Sequence, residues 1–182
     1  MPIIIPISGK AESGKDLTAT LLKTELQKQG KRVLIINYAD QLKFLCQKYF
    51  GWDGEKDIKG RELLQKIGTE KVRAKNNNYW VDNVIELVKV FEDDYDFVLI
   101  PDTRFPNEIE RWDNDYYFIS LRIERLGHEN KLTPEQRLHP SEISLDNYPF
   151  DYGIVSENGI DKLQVEVNKF IKWVEELFNY KK

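Results

Sequence analysis

Apolar runs alternate with stretches of helical periodicity along the chain, a pattern that predicts strands joined by helical crossovers and therefore a parallel sheet. IIIPI at 3–7 is the first strand, and RVLIIN at 32–37 is the second, its continuous apolar character pointing to burial on both faces. DFVLIPD at 96–102, YYFISLRI at 116–123 and the short DYGIVS at 151–156 complete the set. Between them, 15–29 reads as a helix with Leu17, Leu21, Leu22 and Leu26 on its apolar side, ended by Gly30. ADQLKFLCQKYF at 39–50, residues 61–75, and residues 81–92 with Val84, Val88 and Phe91 at helical spacing predict three more. A last helix over 160–179 carries Leu163, Val167, Phe170, Val174 and Leu177 as one stripe. Residues 124–151, polar and broken by Pro134, Pro140 and Pro149, read as an irregular loop or lid.

Composition narrows this picture. A chain of 182 residues, 41% hydrophobic, is long enough for one well-packed domain. Lys+Arg 27 against Asp+Glu 31 leaves a net charge of -4, which argues against a nucleic-acid partner, since phosphate backbones are held by basic surfaces. One cysteine, Cys46, and two histidines, His128 and His139, are too few for a disulfide framework or a structural zinc site and suit a reducing cytoplasm. No stretch reaches the ~20 apolar residues that span a bilayer, and MPIIIPIS lacks the basic start of a signal peptide. A cytoplasmic protein with no membrane partner is expected, as a monomer or a homodimer.

Chemistry enters with SGKAESGKDLT at 8–18, directly after the first strand. Gly9, Gly14 and Lys15 match the G-x-x-x-x-G-K of a P-loop, but Asp16 stands where that motif has Ser or Thr. Glycines let the loop turn its backbone N–H groups inward, the following helix N-terminus adds its dipole, and the lysine brings a point charge. Residues 9–17, that is Gly9, Lys10, Ala11, Glu12, Ser13, Gly14, Lys15, Asp16 and Leu17, are therefore the candidate cradle for nucleotide phosphates. The competing reading is a glycine-rich turn with a solvated lysine, and placement between a strand and a helix favours the cradle. Asp102 ends the third strand, where a carboxylate holds Mg²⁺ beside phosphates; a strand-end acid or helix cap is its plainer role. A regulatory GTPase is disfavoured, because NKLT at 130–133 lacks the aspartate that reads guanine and Phe105 replaces the glycine of a D-x-x-G switch.

A small kinase is left, and ADQLK at 39–43, GRELLQKIGTEKVR at 60–73, YWV at 79–81, DTRFPNEIE at 102–110 and HPSE at 139–142 make the reading specific. In this order they resemble the deoxynucleoside monophosphate kinases of the kind bacteriophages encode, over nearly the whole chain. That family carries Gly-Lys-Asp in the P-loop itself, so Asp16 belongs to the type. The resemblance implies a P-loop NTPase fold of three αβα layers, a parallel sheet of about five strands, an NMP-kinase-like helical insert over about 40–95 and a lid over about 124–151. It also implies ATP as donor and a deoxynucleoside 5'-monophosphate as acceptor; the alternatives are a kinase of another small acceptor, of the dephospho-CoA or phosphomevalonate type, and a nucleotide-binding regulator without turnover. One departure is Leu17, where relatives carry a hydroxyl residue; Thr18 is the next hydroxyl in the chain.

Transfer between two nucleotides crowds negative charge, which planar arginine forks neutralise bidentately. Arg104, just past Asp102 at a strand's C-terminal end, is the leading acceptor-site candidate. Arg61 and Arg73 fall on the helical insert, Arg125 and Arg137 flank the lid, and Arg122 sits inside a strand with a structural role. With Lys15, Asp102 and Arg104, Arg125 and Arg137 form the expected catalytic set, and Asp16 and Asp102 the expected metal pair. Surface ion pairs are the alternative for each arginine. For the acceptor base, Tyr38, Asp40, Lys43, Phe44, Gln65, Trp80 and Asn107 have the flat or hydrogen-bonding side chains required, with core packing as the alternative for Phe44 and Trp80. Glu108 is placed to orient an arginine, and His139, Ser141 and Glu142 are site residues by the family resemblance. Too few histidines exist for a covalent relay, so direct in-line transfer is expected.

Overall fold

The computed structural model describes residues 1–112, 115–127, 130–157 and 159–179; His128 lies outside them. Five strands, β1 (Ile3–Ser8), β2 (Val33–Ile35), β3 (Phe97–Thr103), β4 (Leu121–Arg125) and β5 (Tyr152–Ser156), form one parallel sheet in the order β2-β3-β1-β4-β5. The two-residue period of a strand sends alternate side chains to opposite faces and builds two cores. Ile5, Ile7, Leu99 and Ile123 pack under helices α1 (Lys15–Lys28) and α8 (Ile160–Asn179), with Leu22, Val167 and Phe170. Ile4, Val98 and Ile100 pack on the other face against α2 (Asp40–Tyr49) and α4 (Tyr79–Val90), with Trp80, Val84 and Trp112. The expected three layers and five parallel strands are present.

Several boundaries differ from the expectation for identifiable reasons. β2 is an edge strand of three residues with only Val33 buried, because one side of it has no neighbour. The fourth strand begins at Leu121 and not at Tyr116: residues 117–119 make a single bridge to Ile4, whose N–H donates to the Tyr117 carbonyl at 2.9 Å. The helix expected over 61–75 starts earlier, as α3 (Ile58–Gln65), where Asp57 accepts from the Gly60 N–H at 2.7 Å, and it runs on as a π-helical segment, Lys66–Arg73. Leu17 and Phe91, read as apolar-face residues, are 41% and 42% exposed at the ends of their helices. A four-residue helix, α5 (Asn107–Glu110), follows β3 unannounced by any periodicity. The proline-rich stretch after β4 is not structureless: Thr133 and Gln136 form a capping box for α6 (Pro134–Arg137), and His139 caps α7 (Pro140–Ile143).

Because all strands run the same way, the loops after β1, β3 and β4 emerge at one edge of the sheet, which is where open α/β folds collect their ligands. No helix among the described residues is long and apolar enough to cross a membrane.

The insert between β2 and β3 depends on close packing at Gly60. A methyl group there would lie 2.1 Å from the Glu55 carbonyl oxygen and 2.8 Å from Trp52 Nε1, and that indole N–H itself donates to the Glu55 carbonyl at 2.8 Å. Gly60→Ala is therefore expected to destabilise the protein by about 1–3 kcal/mol despite alanine's better helix propensity. A urea titration checks it: an unchanged or raised midpoint contradicts the packing argument.

Candidate functional site

The turn from β1 into α1 is shaped by what two glycines permit. A methyl group at Gly9 would sit 2.5 Å from the Ile123 carbonyl oxygen and 2.5 Å from Ser13 Oγ, so a side chain there would push the loop off β4. Gly14, with φ 95°, takes the left-handed conformation that starts α1. The loop folds over Lys15, which is 7% exposed and donates from Nζ to the carbonyls of Gly9 at 2.9 Å and Lys10 at 2.8 Å. Burial first, and the positive charge of Arg104 second, lower the Lys15 pKa to about 7.

Four cationic side chains, Lys10, Lys15, Arg104 and Arg122, gather at this loop, and one short stretch of chain answers all but Lys15. The Glu142 carboxylate, on α7, accepts from the Ala11 N–H at 3.1 Å and from Arg104 Nη1 at 2.6 Å. Lys10 Nζ donates to the Glu142 carbonyl at 2.7 Å and pairs with Asp146, just beyond α7. Arg122 donates to Ser8 Oγ at 3.2 Å and has Nη2 3.6 Å from Asp146 Oδ1. A carboxylate thus lies against loop N–H and arginine donors of the kind that grip phosphate oxygens.

Across a cavity of about 440 Å³, the wall is built on the end of β3 and on the insert. Asp102 ties β3 to the start of α2, accepting from the Tyr38 N–H at 3.0 Å and the Ala39 N–H at 2.9 Å, while desolvation pushes its carboxyl above the usual range. Glu108, 1% exposed, accepts from the N–H groups of Arg104 at 2.6 Å and Phe105 at 3.1 Å and pairs with Arg73. Burial raises the Glu108 pKa to about 7 against the opposing pull of Arg73. The Arg73 guanidinium lies 4.1 Å from the Phe105 ring centroid. Tyr38 donates its hydroxyl to the Glu108 carbonyl at 2.6 Å and accepts from Trp112 Nε1 at 2.8 Å, fixing this wall to the core. Trp80 closes the floor, donating from Nε1 to the Gly68 carbonyl of the π-helical segment at 3.1 Å.

Of the residues singled out in the sequence, Lys15, Asp16, Asp102 and Arg104 line this cavity, as do Ala11 and Glu12 of the loop. Lys43, Arg61, Gln65, Arg73, Trp80 and Glu108 line its far side, and Ser141 and Glu142 its mouth. Gly9, Lys10, Ser13 and Gly14 shape the loop behind that surface. Leu17 of the expected cradle points away from it, and six further candidates stand outside the wall. Asp40 pairs with Lys43 and accepts from Asn37, and Phe44 is 55% exposed beneath the Lys48 ammonium. Asn107 bridges to Asn77 and Asn78, and His139 is the cap of α7. Arg125 is at the exposed end of β4, and Arg137 donates to the carbonyls of Leu132 and Asn130. Asn37, Lys56, Thr69, Phe105 and Leu132 also line the cavity. Apart from Phe105, named only for the missing switch glycine, these are not site candidates in the sequence, nor is Asp146 at the loop, and Arg122, expected to be structural, reaches the loop as well. Arg122 had a usable signal only in the register Ser8↔Arg122, which requires knowing that β4 lies beside β1.

Among the described residues no three His, Cys, Asp or Glu side chains cluster as a metal cage. Mg²⁺ bound through phosphates needs only one or two carboxylates, and Asp16 and Asp102 face the same cavity. Each Asp102 oxygen accepts one backbone N–H and retains a further lone pair, so the donor set fits.

No protein-family model matches the sequence. The deoxynucleoside-5'-monophosphate kinase of Escherichia phage T5 is 33% identical over 117 residues, a match that covers 62% of this chain and 46% of that protein, less than half of the relative's length. Among solved structures, a putative kinase from Chloroflexus aurantiacus superposes with a TM-score of 0.55 at 15% identity, covering 100% of this chain and 98% of that one. Dephospho-CoA kinase from Campylobacter jejuni gives 0.52 at 16%, covering 95% and 97%. Mycobacterium tuberculosis APS kinase in complex with AMPPNP and APS gives 0.52 at 12%, covering 96% and 98%. At these identities the likeness speaks for architecture: the chain has the P-loop kinase fold, with its parallel five-stranded sheet between helical layers.

Proposed function

We propose that this chain transfers the γ-phosphoryl group of ATP to a deoxynucleoside 5'-monophosphate, releasing ADP and the deoxynucleoside diphosphate. The observation that carries the reading is one cavity with a phosphate loop, a buried lysine and Arg104 on one side and the anchored Arg73 of the insert on the other. Two anionic substrates can then meet end to end. The phage relative's name favours a deoxynucleoside monophosphate as acceptor, and the APS kinase solved with AMPPNP favours an adenine nucleotide as donor.

In this mechanism the N–H groups of residues 9–14 and the Lys15 ammonium hold the donor phosphates, which take the place of the Glu142 carboxylate. Arg104, released from Glu142, spans the transferring group, and Arg73 and Arg61 draw the acceptor phosphate in from the insert. An acceptor phosphate oxygen attacks the γ-phosphorus as the bond to the bridging β-oxygen breaks, with ADP as leaving group. Gln65, Lys43 and Trp80 present hydrogen-bonding and flat surfaces to the base. The insert over about 40–95 covers the acceptor, and the segment over about 124–151 covers the donor end and excludes water. Asp16 and Asp102 are the residues that would hold Mg²⁺, whose charge, when bound, neutralises the phosphates. A second reading, a different small phosphate-bearing acceptor, is favoured by the dephospho-CoA kinase likeness. An ADP-release assay run with each deoxynucleoside monophosphate and with dephospho-CoA separates the two: ADP formed only with dephospho-CoA overturns the first reading.

Lys15→Met keeps most of the apolar stem and removes the charge. A fall of at least about a hundredfold in kcat/KM, near 2.7 kcal/mol of barrier, is expected with the melting temperature retained. Activity within about tenfold of the parent would take Lys15 off the phosphates.

The lowered Lys15 pKa gives a second test. With that pKa at about 7 before nucleotide binds, and the protonated form favoured by anionic phosphates, the pKa rises in the complex. ATP binding above that pH must then take up a proton, and affinity falls as pH rises, by up to about tenfold per unit. Calorimetry near pH 8 in two buffers of different ionisation enthalpy should report uptake approaching one proton in the parent and none from this source in Lys15→Met. Equal uptake in both proteins contradicts it.

A further inference from the structure

We propose that Glu108 is a positioning residue that sets the spacing of the two arginines of the acceptor site. The inference rests on the reading that the acceptor is a nucleoside monophosphate. Its basis is how the carboxylate divides its two oxygens. Oε1 takes the guanidinium of Arg73, which arrives from the end of the π-helical segment, and Oε2 takes the backbone N–H groups of Arg104 and Phe105 on the loop after β3. One group, 1% exposed, therefore links the insert to the sheet at the point where both arginines face the cavity.

Three contacts hold the Arg73 side chain, which is 9% exposed. Its guanidinium faces the Phe105 ring, Nη1 donates to the Asn77 carbonyl at 3.3 Å, and Nη2 meets Glu108. Of these, only Glu108 carries charge. A buried ion pair of this kind is weak evidence for stability, because desolvating both partners costs about as much as their attraction returns. Its location on the cavity wall gives it a different use: an arginine already oriented and kept in one rotamer loses little freedom when it grips a phosphate. The same carboxylate holds the main chain of Arg104, so a phosphate held between the two guanidinium groups meets donors at a set separation. Glu108 itself need not touch the substrate.

Glu108→Gln isolates this role. The amide oxygen still accepts the Arg104 and Phe105 N–H groups, so the loop is kept, while the amide nitrogen facing Arg73 has no acceptor to offer. The expected result is a rise of about tenfold or more in KM for the deoxynucleoside monophosphate with KM for ATP changed less than about twofold. Arg73→Lys should show the same split, and the double variant should be no worse than the poorer single one, because both remove one interaction. Equal changes in the two KM values, or additive effects in the double variant, overturn the proposal and return Glu108 to a structural role. If Glu108→Gln does not fold, Glu108→Asp, which keeps the charge but shortens its reach, carries the test: the same split supports the proposal and its absence overturns it. A parent enzyme that releases no ADP with any deoxynucleoside monophosphate refutes the function reading and this inference with it. Turnover by the parent without the split refutes the positioning role alone.

Discussion

A lysine ammonium enclosed at the C-terminal end of the central strand is the constraint on which the site depends. Lys15 cannot be buried there unless carbonyl oxygens stand in for water, and the Gly9 and Lys10 carbonyls reach it only because the loop wraps around it. That wrapping requires the absence of a side chain at Gly9, against β4, and a left-handed turn at Gly14. β1 must be central for β3 and β4 to flank it, which brings Arg104 from one neighbour and Arg122 from the other to the same loop. The two cores on either face of the sheet hold β1 rigid, with Ile4, Ile5 and Ile7 all at 1% exposed or less. Packing far from the cavity thus decides where one charge sits.

The opposite wall obeys a different rule. It belongs to the insert, in whose π-helical segment the Gly68 carbonyl accepts from the Trp80 indole. Gly68 also passes close to Leu42, where a methyl group would lie 2.6 Å from Cδ2. Trp80 to Gly68 thus ties two segments of the insert to each other, while Arg73 to Glu108 ties the insert to the loop after β3, both set among apolar packing.

The fold was largely readable because parallel strands and amphipathic helices impose periodicities that survive in one dimension. β1, β3 and α8 stand close to where their apolar patterns put them. β2 misled because a run such as RVLIIN reads alike whether it lies at the centre or the edge of a sheet, and strand order is a three-dimensional fact. The P-loop was legible because its glycines and lysine are close in sequence. Residues whose task is set by partners more than 30 positions away were not: Arg122 on Ser8 reads only as a structural arginine, Asp146 on Lys10 gives no local signal, and nothing near Asp102 indicates that its carboxylate closes on the Tyr38 and Ala39 amides. Phe44 and Asn107 were misplaced because residue type says nothing about which side of a helix looks inward.

Lys10, Arg104 and Arg122 come with their own counterions, Glu142 and Asp146, delivered by one short stretch of chain. On the proposed reading, a nucleotide entering this site would not meet a bare cationic surface dressed in water; it would exchange with carboxylates already seated there. Binding then resembles ion exchange on a resin more than the filling of a vacant pocket. Mutual repulsion among the cations is relieved in the resting protein, and only an anion with more oxygens, and more charge, than a carboxylate gains by taking its place. A polyphosphate meets that condition, whereas a lone chloride or acetate does not, so the seat discriminates by valence before any contact with a base is made.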